Sequence, residues 1–69
     1  MQIDQIDNNF SYHQPKEGQN QKYGRIRGEA RLLALTVNEL CPESREKSLA
    51  ITKLEEAVMW ANAAIARNE

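Results

Sequence analysis

Cys41-Pro-Glu-Ser-Arg-Glu-Lys-Ser-Leu-Ala-Ile-Thr-Lys-Leu-Glu-Glu-Ala-Val-Met-Trp-Ala-Asn-Ala-Ala-Ile-Ala-Arg-Asn68 decides the fold. Its apolar residues Ile51, Leu54, Val58, Ala61 and Ile65 recur at alternating spacings of three and four, the signature of one helical face. The 22 residues before this stretch repeat the pattern with Tyr23, Ile26, Ala30, Leu33, Val37 and Leu40. Only Cys41-Pro42-Glu43 separates the two seams, which leaves room for a tight reversal and nothing more. The expected fold is all-α: an antiparallel hairpin of two helices, about 20–40 and 44–68, in a domain spanning 19–69. An N-terminal arm, 1–18, precedes it and holds a short helix or turn.

Local signals set the expected ends. Asn20 is the expected N-cap of the first helix and Ser44 of the second, since each side-chain oxygen can accept from the following turn. Pro42 cannot sit in a helix interior, so it closes the first helix or opens the second. Gly24 and Gly28 lie inside the first helix, at roughly 1 kcal/mol each relative to alanine. They read as positions where a ligand or another backbone comes close. Arg45-Glu46-Lys47 reads as exposed, Phe10 as a core plug and Tyr23 as the start of the seam. Leu49, Met59 and Trp60 fall off the second seam, and one hairpin cannot cover two apolar faces. The surplus, with six alanines in the second helix that permit close approach, predicts a homo-oligomeric helical bundle.

Composition reinforces that expectation. Sixty-nine residues with one cysteine and one histidine offer neither an internal disulfide nor a zinc cluster. For so short a chain, self-association is the remaining route to stability. The lone thiol, no signal peptide and no long apolar run point to a reducing cytosol and no membrane. Net charge is -1, but the charges are unevenly placed. Lys16, Lys22, Arg25, Arg27 and Arg31 face only Glu17 and Glu29 in the front half of the hairpin. An anionic partner is expected there. The near-zero total argues against long nucleic acid, which rewards extended basic surface.

No nucleophile, base and orienting acid stand in a recognisable spacing, so the chain reads as a non-enzyme without cofactor or metal. Glu55 and Glu56 point about 100° apart on a helix and form no carboxylate pair. The binding signal lies in Phe10-Ser-Tyr12-His13-Gln-Pro15 and in Lys22-Tyr23-Gly-Arg25-Ile-Arg27-Gly28. Tyr12 and His13 offer flat faces for a nucleobase. Pro15 stiffens their segment, and Arg25 and Arg27 carry forked donors suited to phosphate. Arg67 has an ordinary role near a helix C-terminus, and an alternative one against an anion on a symmetry axis.

These motifs, with the long second-helix sequence, resemble the phage anti-CBASS cyclic-oligonucleotide sponge family, whose hairpin domain is shared with anti-Thoeris sponges. The resemblance runs from about Phe10 to the C-terminus. It implies a homohexamer in the cytoplasm of the infected bacterial host that sequesters cyclic second messengers without cleaving them. It implies cyclic dinucleotides such as cyclic GMP–AMP between paired protomers, on Tyr12, His13, Pro15, Arg27 and Lys22. It also implies cyclic trinucleotides on the threefold axis, on Arg25, Gly28 and Arg67. Paralogous sponges take cyclic ADP-ribose variants instead. The alternative is a helical protein-interaction or structural adaptor module of a phage, which would use the seams and leave the aromatic–arginine cluster idle.

Overall fold

A computed structural model describes residues 2–69, and Met1 of the expected arm lies outside them. Three helices follow in order: α1 (Ile3–Asn9), α2 (Gln19–Leu40) and α3 (Arg45–Asn68). The last two form the hairpin, and there is no strand among the described residues.

The reversal is built from three local devices. Cys41 is extended at φ -101° and ψ 138°, the conformation favoured by a residue before proline. Ser44 caps α3, its Oγ accepting from the Lys47 amide at 3.1 Å. Lys47 departs from the exposed role read in the sequence. Its side chain is only 9% exposed, its ammonium donates to the Asn38 carbonyl at 3.0 Å, and it pairs with Glu43. That donation satisfies one of the carbonyls that α2 leaves open at its end.

The front of α2 also differs from expectation. Its N-cap is Gly18, at φ 84°, a left-handed conformation that side chains resist. Asn20 lies inside the helix. The side chain that serves the arm here is Gln19, whose Oε1 accepts from the Lys16 amide at 2.9 Å.

Half-buried contacts run along Tyr23, Ile26, Ala30, Ala34 and Val37 of α2 and Ile51, Leu54, Val58, Ala61 and Ile65 of α3. Ala34 stands where the sequence reading placed Leu33, and Leu33 and Leu40 are exposed. The reason is angular. At about 100° per residue, Leu33 lies some 60° from Ala30 and Leu40 some 80°, whereas Ala34 stays within about 40° on the other side. A strict three-four alternation drifts off a straight helix.

The hairpin lacks a sealed interior. No hydrophobic side chain is buried among the described residues, and Gln19, at 4% exposure, is the one buried polar residue. Phe10, expected as a plug, is 87% exposed. The chain measures 45 × 29 × 13 Å with a radius of gyration of 15.2 Å, against about 11 Å for a compact chain of this length. Its accessible surface is 5802 Å², where roughly 4,400 Å² is usual for a monomer of 7.9 kDa. Leu32, Leu33, Leu35 and Leu40 of α2, with Leu49, Met59 and Trp60 of α3, make up much of the exposed apolar area.

Two substitutions test these boundaries by denaturant unfolding at fixed protein concentration. Ser44→Ala loses the α3 cap and should cost about 1 kcal/mol. Gly18→Ala meets no atom within 4 Å, so its cost, about 1–2 kcal/mol, should come from backbone conformation alone.

Candidate ligand-binding site

The arm between α1 and α2 folds back over the open end of the hairpin, and a cavity of about 680 Å³ lies beneath it. Tyr12, His13 and Pro15 come from the arm, Asn20, Tyr23 and Arg27 from α2, and Asn62, Ala63, Ala66 and Arg67 from α3. The small side chains of Ala63 and Ala66 leave the space open. Its volume lies within the usual range of ligand sites.

Polar contacts hold the arm. Asn8 Nδ2 donates to the Arg67 carbonyl at 3.0 Å. His13 Nε2 lies 2.8 Å from the Asn8 carbonyl. A carbonyl only accepts, so Nε2 is the donor in this pair. Ser11 Oγ donates to the Asp7 carbonyl. Further along, Lys16 donates from its ammonium to the main-chain oxygen of Glu69. Gln19 Nε2 meets Glu69 Oε1 at 3.3 Å, and Lys22 Nζ meets Glu69 Oε2 at 2.7 Å. Hydrogen bonds from Lys22 and Gln19, followed by the charges of Lys22 and Lys16, hold the Glu69 carboxyl below its ordinary value of 4.5.

The electrostatics of the cavity are one-sided. Arg27 and Arg67 line it, and no aspartate or glutamate does. Neither guanidinium is ion-paired among the described residues. Tyr12 is 85% exposed, so its ring face is free. Flat aromatic surface, two uncompensated forked cations and several amides can hold a planar, anionic, hydrogen-bonding ligand.

Of the residues singled out in the sequence, Tyr12, His13, Pro15, Arg27 and Arg67 therefore share one cavity. Lys22 lies outside it, on Glu69. Arg25 is turned to Glu29 at 3.5 Å on the surface. Gly28 is exposed, and a Cβ built there meets nothing within 4 Å, so no close approach occurs there within one protomer. Arg25 and Gly28 do not meet Arg67 inside the chain. Arg67 also borders a second cavity of about 710 Å³ beside α1 and Trp60.

Sequence reasoning missed Asn62 and assigned Asn20 to a cap. Asn62 Oδ1 is buried without a hydrogen-bond partner among the described residues. A polar residue set among Ala61, Ala63 and Ala64 was the available signal, since an amide there breaks an otherwise small and apolar run. No group of three metal-ligating side chains occurs among the described residues. Among the described residues, no helix is long and apolar enough to cross a membrane.

A helical hairpin with a cationic, aromatic cavity under a folded arm has the geometry of a small-ligand site. Residues 2–66 match the family described as Acb2/Tad1, hairpin domain. The chain belongs to that family, the anti-CBASS and anti-Thoeris sponges of phage anti-defence. No curated protein and no solved structure matches it.

Asn62→Ala removes a buried acceptor that has no partner and introduces a stronger helix former. Thermal unfolding should show a gain of up to about 1 kcal/mol, in contrast to the loss typical of polar-to-alanine changes at satisfied sites.

Proposed function

We propose that this protein sequesters cyclic oligonucleotide second messengers in the cytoplasm of an infected bacterial host, holding them intact. The cavity under the arm takes a cyclic dinucleotide such as cyclic GMP–AMP. The observation that carries this reading is the meeting of Tyr12, Arg27 and Arg67 in one space with no carboxylate in its walls. Tyr12 stacks a base with His13 beside it, Pro15 stiffens the segment, and Arg27 meets phosphate. Lys22 contributes only if it leaves Glu69. Arg25, Gly28 and Arg67 serve cyclic trinucleotides, in which case several copies must bring them together.

Assembly belongs to the same proposal. The protein acts as a homo-oligomer, a hexamer, in which copies cover the exposed leucines of α2 and the Leu49, Met59 and Trp60 face of α3. A narrow apolar groove of about 330 Å³ supports this: Ala30, Ala34, Ile51, Leu54 and Val58 floor it, and Arg27, Arg31 and Glu55 flank it. Arg27 borders both this groove and the ligand cavity. A copy seated on the groove would therefore stand next to bound ligand. Two-fold pairing suits a ligand of near two-fold shape.

Titration calorimetry with cyclic GMP–AMP and a cyclic trinucleotide tests the reading, alongside chromatography of ligand released by denaturation. Intact ligand should be recovered, and linear product would overturn the claim of sequestration. A ligand at a hundred times its dissociation constant should stabilise the fold by about 2.7 kcal/mol. Tyr12→Ala should weaken cyclic-dinucleotide binding by roughly ten- to a hundredfold with the assembly unchanged in sedimentation. A folded monomer at low micromolar concentration would defeat the oligomer.

A further inference from the structure

The arm that roofs the cavity has little apolar anchorage. Phe10 and Tyr12 are almost wholly exposed, and Ile3 and Ile6 of α1 are exposed as well. What fixes the far end of the arm is a polar junction at the C-cap of α3. Glu69 accepts from Lys16 of the arm through its main-chain oxygen, and from Gln19 and Lys22 of α2 through its two carboxylate oxygens. Gln19 closes the loop by accepting from the Lys16 amide. It is also the residue most removed from solvent.

We infer that Glu69 is a positioning residue for the ligand site, a latch that ties arm, α2 and α3 together and so holds Tyr12, His13 and Pro15 over Arg27 and Arg67. Its oxygens bond to no cavity-lining residue, and it acts through Lys16 and Gln19. The inference rests on the ligand reading above for its binding readout only. A single exposed ion pair would contribute little, but one carboxylate serving two donors, with its own carbonyl serving a third, forms a network. The charged groups facing it are Lys22 on α2, directly, and Lys16 on the arm at longer range. The carboxyl is held below its ordinary value. Its share of the latch, the bonds to Lys22 and Gln19, is therefore intact above 4.5 and weakens as pH falls through the lowered value, while Lys16 stays on the main-chain oxygen. The phosphodiesters of a cyclic dinucleotide stay ionised across that window.

Limited trypsin digestion and cyclic GMP–AMP binding of the full chain test this together. Glu69→Ala should speed cleavage after Lys16 by about tenfold and weaken binding about three- to tenfold, through loss of charge-assisted hydrogen bonds. Helix content by circular dichroism should not change. Glu69→Asp should recover much of both. Wild-type binding should fade as pH drops below the carboxylate range, whereas Glu69→Gln should be weak and flat over the same range. Unchanged cleavage in Glu69→Ala would overturn the latch. So would tighter binding, because that would make Lys22 a phosphate ligand that Glu69 merely blocks. If the wild type binds no cyclic nucleotide, the proposed ligand fails, and the cleavage comparison still decides whether the latch exists.

Discussion

A single layer of two helices cannot enclose both of its faces, and every other feature of this molecule answers to that constraint. The seam between α2 and α3 shields Ile26, Val37, Ile51, Leu54, Val58 and Ile65 only by half. The slab is 13 Å thick in its smallest dimension, about one helix diameter. Its accessible surface exceeds what is usual for a monomer of this mass, and large apolar side chains lie exposed on its flanks. The hairpin therefore has two tasks for one surface: packing inward on itself and presenting leucines, Met59 and Trp60 outward.

The cavity under the arm inherits this thinness. It is built at an end of the hairpin, where the arm folds back, rather than inside a core. Its walls come from three separate segments, held in place by side-chain and main-chain polar contacts. Local charge is what such a wall can control well. Arg27 and Arg67 meet no carboxylate in the walls of this cavity, while Glu29 is turned to Arg25, and Glu69 to Lys22 and Gln19. A near-neutral chain thus gives one cavity a positive interior.

The sequence carried the hairpin plainly, because apolar spacing over more than twenty residues leaves little choice, and Ser44 followed from cap chemistry. It was less informative where geometry depends on exact angle or on contacts between distant segments. Leu33 against Ala34 is a difference of one residue that alternating spacing cannot resolve. Gly18 replaced Asn20 as cap because a left-handed φ outweighed an amide side chain at that point. Lys47 looked like solvated charge until the turn brought the Asn38 carbonyl to it. Tyr12, His13, Pro15 and Arg27 were singled out from type and order alone, and the fold gathers them with Arg67. Asn62 was missed although its amide interrupts a run of alanines, because only the fold shows its oxygen buried without a partner.

The arm is secured at its two ends, by Asn8 on Arg67 and by Lys16 and Gln19 on Glu69, and at its tip Phe10 and Tyr12 are almost wholly exposed. Phe10 and Tyr12 can therefore be exchanged with little effect on the hairpin below, whereas Ser11 and His13 help to hold the arm. Such a layout uncouples the exposed rim from the scaffold, so sequence change at Phe10 or Tyr12 is cheap for the hairpin beneath.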